Sequence, residues 1–284
     1  MKPPSRAERA LARDEEDARL ASLPVGERAR ALVGRFGAVN GPITGADAVQ
    51  RLLVLGAAGV PALVAHLRHP ETGWQAAYTL AFLGPPGAAA ATDALRDVAC
   101  DDVVRSATRW SLVALARLGC LDELAALGER PNKGVLVAGA LTEMTPTSYP
   151  QLERCLDRGS GALVQAVLEA LRPGRGRFFD PAPTSFEAAL AGARSEHAAL
   201  RCDAAMLLTL KTYPAATRAR ALPELARLAV DREAAVRGCA AVALGRLGRR
   251  AAPRALALVD ALCEDPDEAV SAAARYARGR LARP

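Results

Sequence analysis

Apolar residues recur along this chain at steps of three and four, and short runs of glycine, proline or acidic residues interrupt them. The cleanest stretch is AAVRGCAAVALGRLG at residues 234–248, where Val236, Ala240, Ala243, Leu244 and Leu247 fall on one helical stripe. Gly248 then supplies an exit from the helix without a Cβ penalty. The same unit repeats with varying fidelity, each outward helix followed by a return. Ala46–Leu55 returns, across the GAAG turn at 56–59, as Val60–Arg68 with Leu63 and Leu67 on one face. Trp74–Gly84 returns as Ala88–Cys100, Val104–Gly119 as Leu121–Glu129, and 133–144 as 150–158. Gly161–Leu171 carries Leu163, Val167, Leu168 and Leu171 and returns as Phe186–Ala193. Ala199–Leu210 returns within Ala215–Val230, the 234–248 unit returns as Ala252–Cys263, and Val270–Leu281 is an unpaired last helix. Pro61 and Pro253 each open a return, where a first-turn N–H has no intrahelical partner to lose. The linkers DREAA and DPDEA place Asp231 and Asp265 as expected N-caps.

Ahead of the repeats, residues 1–23 form an expected amphipathic helix, with Ser5 and Glu8 spaced as a capping box. Its acidic run Asp14–Asp17 lies among arginines at spacings that allow i,i+4 pairs, and its apolar face is poor. It is therefore expected to be a solvated lead-in or end cap. A second helix over Pro24–Gly37 buries Leu32, Val33 and Phe36, and Asn40-Gly-Pro breaks the pattern. The pattern divides the chain into a lead-in, residues 1–43, and an all-α array of antiparallel helix pairs, residues 44–284, with an insertion at 172–184. The stretch 130–190 is poorest in stripe leucines and is expected to have the lowest local stability.

The segment D-x4-V-R at 231–237, followed by AAVALGRLG, AAPRALALV and a second Asp, resembles the bacterial HEAT-like repeat of the phycobilisome-lyase type. The likeness covers about residues 44–284 and implies a right-handed α-α superhelix, a HEAT-like solenoid. Arg105, Arg201 and Arg237 match the family's recurrent arginine, which implies a role in tying one repeat to the next. Gln75 and Ser271 hold the equivalent places and would interrupt such a ladder. HEAT-like chains resemble one another in fold far more than in function.

Composition agrees with helices that approach closely. The 284 residues are 51% hydrophobic but only 4% aromatic, with alanine the commonest residue. All but three of the 37 basic residues are arginine, and the net charge is +6. A GC-rich coding bias accounts for that preference, although an arginine stripe including Arg275, Arg278, Arg280 and Arg283 would also suit phosphate. The six cysteines are scattered singly and form no CxxC pair, as expected of small apolar residues in a reducing cytoplasm. No apolar run approaches 18 residues, so no membrane-spanning helix is expected. The N-terminus lacks the apolar core of a secretory signal.

Catalytic chemistry is thinly represented. His66 and His69 stand as H-x-x-H with no carboxylate on the same helix, and no His-Glu dipeptide of the kind that HEAT-like deoxyhypusine hydroxylases use for iron occurs. HEAT-like DNA glycosylases need an acid beside their aromatic residues. Trp110 has Val113 and Ala114 one turn on, so Trp110 and Trp74 are expected to fill gaps in an alanine-rich interface. No chromophore-handling residue of a phycobilin lyase can be placed, and PGRGR lacks the features of a phosphate loop. The reading therefore assigns no catalytic residue, no metal and no cofactor. The insertion carries the candidate binding residues Arg172, Arg175, Arg177, Phe178 and Phe179, because arginine beside phenylalanine suits a partner's apolar pocket. The expected function is a non-catalytic scaffold that holds a protein partner along the concave face. A nucleic-acid-binding protein using the arginine-rich C-terminal half is the alternative, and a lyase-like or modifying-enzyme subunit the second.

Overall fold

A computed structural model describes residues 5–101, 106–172, 185–247 and 252–282. Every regular element among the described residues is helical. The chain forms two compact units, Met1–Leu127 and Gly128–Pro284.

The first unit begins with α1 (Arg6–Ala21), α2 (Val25–Val33), α3 (Gly45–Leu55) and α4 (Val60–His66). It continues with α5 (Gly73–Ala88), α6 (Thr92–Cys100), α7 (Ser106–Arg117) and α8 (Leu121–Leu127). The capping box on α1 forms as expected, with Ser5 N–H donating to Glu8 at 2.6 Å and Glu8 N–H donating to Ser5 Oγ at 3.2 Å. Thr44 and Asp47 build a second one on α3. Residues Gly45–His66 are long and apolar enough by composition to cross a membrane, which the sequence pattern alone did not suggest. They are two helices rather than one. Gly56 takes φ 60°, a conformation open to glycine, and a single 3₁₀ turn follows before α4. Gly84 (φ 66°) breaks α5 in the same way just ahead of Pro85 and Pro86. α5 packs against both α3 and α7 in one layer, while α4 packs on α5, and α6 and α8 pack on α7, in the other. Ala76, Ala77 and Ala81 of α5 and Ala107 and Ala114 of α7 are buried, so small side chains line the α5–α7 contact.

The second unit holds α9 (Gly134–Glu143), α10 (Tyr149–Arg158), α11 (Gly161–Ala170), α12 (Phe186–Gly192) and α13 (Ala198–Leu207). There follow α14 (Ala215–Ala219), α15 (Leu222–Leu228), α16 (Ala234–Leu244), α17 (Ala252–Leu262) and α18 (Glu268–Leu281). α9 stacks on α11, and α13, α16 and α18 stack in turn. The expected stripe on α16 is the core of that stack, with Val236, Ala240, Ala243 and Leu244 fully buried. On α11, Leu163 and Val167 are buried but Leu168 is 40% exposed. Leu168, expected on the stripe, therefore lies at its exposed margin one position past Val167.

The arginine ladder takes a definite form here. Arg201 on α13 grips Asp231 with two bonds, Nε to Oδ2 at 2.8 Å and Nη2 to Oδ1 at 2.9 Å. Arg237 on α16 grips Asp265 the same way, at 2.7 and 2.9 Å. Each arginine also donates Nη1 to two carbonyls of the linker before its own helix: Ser195 and Glu196 for Arg201, Asp231 and Arg232 for Arg237. Asp231 and Asp265 are therefore not the N-caps that the sequence suggested. The caps are Glu233 and Asp267, and the two aspartates lie two residues earlier. From there each accepts the cap residue's N–H, at 3.0 and 2.9 Å, while the arginine of the preceding helix takes both carboxylate oxygens.

Candidate interaction surface

α5 carries Trp74, Tyr78 and Phe82 at spacings of four, which puts the three rings on one line of the helix. That line faces away from α3 and α4, because the residues between, Gln75, Ala76, Ala77, Thr79, Leu80 and Ala81, are the buried ones. Trp74 is 38% exposed, and Tyr78 and Phe82 are half-buried. Trp110 of α7 closes the group from the side. Tyr78 lies edge-on to Trp110 with centroids 4.6 Å apart, edge-on to Trp74 at 6.5 Å, and tilted against Phe82 at 4.5 Å. The Arg109 guanidinium sits 5.9 Å from the Trp110 ring centroid, a cation–π contact. Four of the chain's eleven aromatic residues thus form one continuous cluster that reaches the surface. Trp110 is buried against the Tyr78 ring, whereas Trp74, expected to fill a gap, stands at the surface. Sequence reasoning weighed the two tryptophans separately and passed over Tyr78 and Phe82. The signal was present in the four-residue spacing of three aromatics in so alanine-rich a chain.

Of the expected binding residues, Arg172 is exposed and pairs with Glu169 one turn back, at 2.9 Å. Arg175, Arg177, Phe178 and Phe179 lie outside the described residues, as does Arg105 of the ladder. Some arginines of the C-terminal half hold carboxylates, whereas Arg275 and Arg280 of α18 pair with none among the described residues and Arg283 lies outside them. Besides Arg201 and Arg237, Arg194 and Arg227 both reach Glu224, Arg220 reaches Glu187, and Arg278 approaches Asp260.

His66 and His69 stack with centroids 4.6 Å apart, and the Thr72 hydroxyl lies between His66 Nε2 at 2.7 Å and His69 Nδ1 at 2.9 Å. His69 Nδ1 also accepts the Thr72 N–H at 3.2 Å, which ties the histidine to the residue ahead of α5. Burial and then the neighbouring His69 push His66 below its usual value. His197 pairs with Asp157 at 2.8 Å. Among the described residues no group of three or more His, Cys, Asp or Glu side chains converges as a metal site would require. All six cysteines are free. Cys202 and Cys239 share a thiol hydrogen bond between α13 and α16, which raises Cys202 and lowers Cys239.

No family model matches the chain, and no curated protein matches it. Among solved structures it is similar to human deoxyhypusine hydroxylase in complex with glycerol, at 21% identity over 95% of this chain and 97% of that one, with a TM-score of 0.30. It is similar to the Escherichia coli protein YibA at 14% identity over the whole of both chains, with a TM-score of 0.37. A designed armadillo repeat protein aligns at 14% identity over 78% of this chain and 99% of that one, with a TM-score of 0.33. Likenesses this distant transfer no activity, and none of the three histidines here is followed by glutamate. What assigns the architecture is the chain's own geometry: layered antiparallel helices, with an arginine-to-aspartate step recurring from α13 to α16 and from α16 to α18, make this an all-α helical-repeat protein of HEAT-like form.

Proposed function

We propose that this chain is a non-catalytic scaffold that binds a protein partner, with the Trp74–Tyr78–Phe82 line of α5 as the contact. The observation that carries the reading is the exposure of Trp74 at one end of that line, with Tyr78 and Phe82 half-buried behind it. An exposed tryptophan backed by packed aromatic rings and an adjacent arginine has the composition of an interface hot spot. Rings fixed by their neighbours lose little conformational freedom when a partner covers them. The insertion 172–184, with Arg172, Arg175, Arg177, Phe178 and Phe179, is proposed as a second contact, and the repeats as ones of the phycobilisome-lyase type. The free cysteines fit a reducing compartment such as the cytoplasm. The nucleic-acid reading stays the alternative, resting on Arg275 and Arg280 of α18, which hold no carboxylate among the described residues, and nuclease-sensitive capture would favour it.

The test is a nuclease-treated affinity capture with the full chain, followed by mass spectrometry, comparing the native protein with Trp74→Ala. A protein that survives nuclease and is lost on Trp74→Ala supports the reading. Capture that is nuclease-sensitive, or unchanged by Trp74→Ala, refutes it. Arg175→Glu with Arg177→Glu applies the same measurement to the insertion.

A further inference from the structure

α1 is fastened to the first unit chiefly by charge. Of its described side chains only Leu20 is buried, and Leu11 is 61% exposed. Among the described side chains one pair lies along the helix itself, Arg19 with Glu16, while those of Arg6 and Arg9 lie outside them. The other contacts cross to α2, α3 and the segment between them. Arg13 meets Asp47 at 2.6 Å, Glu16 meets Arg35 at 2.8 Å, and Asp17 is gripped by Arg51 through two bonds of 2.8 Å. Arg28 of α2 donates to the carbonyls of Ala21 and Leu23 at 2.7 and 3.2 Å, which holds the end of α1. Arg28 Nε is buried and has no hydrogen-bond partner among the described residues. Beside the C-terminal half of α1 lies an open groove of about 310 Å³ whose lining includes Leu20, Leu32, Leu55 and the 88% exposed Val54. Exposed ion pairs contribute about 0–1 kcal/mol each and weaken with salt, which leaves one leucine as the main apolar anchor.

We propose that the α2–α3 edge is a docking surface for an acidic amphipathic helix of a partner protein, and that α1 occupies it as a displaceable copy of that ligand. Charge complementarity selects the occupant. Arg35 and Arg51 receive two adjacent carboxylates, Glu16 and Asp17, and the apolar seat receives a leucine one turn further on, Leu20. A partner helix with the same adjacent acids and following leucine makes the same contacts and can fill the remaining groove with a larger side chain. This surface is separate from the aromatic line of α5, so either assignment can fail without the other.

The test uses the full chain and a fluorescein-labelled peptide of residues 5–23 as the probe. In the native protein the tethered α1 competes at high effective concentration. In Glu16→Arg with Asp17→Arg it faces Arg35 and Arg51 with like charge and leaves the edge open. The variant is expected to bind the probe about tenfold or more tightly than the native protein, given millimolar effective concentrations for a tethered segment. About 0.5 M salt is expected to remove that binding, since the Debye length then shrinks to a few ångströms. Glu16→Gln with Asp17→Asn, which introduces no repulsion, should fall between the two and serves as the readout where the charge-reversed chain does not fold. Equal binding by native and variant chains, or binding by neither, overturns the proposal. So does hydrogen exchange in which α1 amides of the native protein are as protected at high salt as at low.

Discussion

Removing Arg201 is the sharpest test of how the repeats are tied. Its side chain and that of Asp231 are each only 7% exposed, and four hydrogen bonds leave the guanidinium. Arg201→Ala strands the Asp231 carboxylate in a site with little water and takes donors from the carbonyls of Ser195 and Glu196. Breaking a buried pair from one side costs about 3–5 kcal/mol. Asp231 keeps the Glu233 N–H, so the lower part of that range, about 3 kcal/mol, is the expected loss. Arg237 is more exposed, at 17%, and solvent screens the damage. Arg237→Ala should therefore cost less, about 2 kcal/mol. Urea unfolding followed by far-UV circular dichroism measures both losses. Hydrogen exchange of α13 and α16 amides locates them, because a repeat array opens by nearest-neighbour steps.

The pH dependence follows from the same contact. Burial, the largest single influence, pushes Asp231 up, and the Arg201 guanidinium, the Glu233 N–H and Arg227 together more than offset it, so its carboxyl titrates below the usual 3.8. A depressed folded-state value means the pair's contribution is complete above the unfolded value and disappears as pH falls through the folded one. The difference between native and Arg201→Ala chains should accordingly narrow below about pH 4. Replacing both partners, Arg201→Met with Asp231→Leu, should be close to neutral, since no charge is then left buried. A loss under about 1 kcal/mol for Arg201→Ala, or a loss no larger than that of Arg237→Ala, refutes the reasoning.

Two further outcomes are expected. A Cβ at Gly192 would lie 2.1 Å from the Tyr149 ring, so Gly192→Ala must displace the tyrosine that donates to Asp203 at 2.8 Å. A loss of about 2–3 kcal/mol is expected in thermal melts, and an unchanged midpoint would refute the contact. His66, held below 6.5 by burial and by His69, should leave the first unit fully stable above that pH and progressively less stable as pH falls through its folded value. Tryptophan emission reads this directly because Trp74 and Trp110 both lie in that unit, and a urea midpoint independent of pH between about 7 and 5 would contradict it.

The sequence by itself determined the local structure and the buried stripes. The three- and four-residue period of Val236, Ala240, Ala243 and Leu244 could close only one helical face, and those residues are the core of the α13–α16–α18 stack. Capping boxes at Ser5 and Thr44 and the turn at Gly56 rest on contacts within a few residues, which is why they can be read from sequence or local geometry. The positions of Arg201 and Arg237 were legible too, but not what they hold. Asp231 in isolation has the look of an N-cap, and only the approach of α13 gives it a guanidinium to bind. α1 shows the same limit, because an acidic run among arginines can pair along its own helix or with its neighbours. Tertiary packing set Arg35 and Arg51 against it, so Glu16 is shared between Arg19 of its own helix and Arg35 while Asp17 goes to Arg51. The tertiary structure also decided the fate of the aromatic residues. A period tells which side chains share a face, and only the placement of the surrounding helices tells whether that face is covered. Trp110 is covered, and Trp74 stands open at the surface.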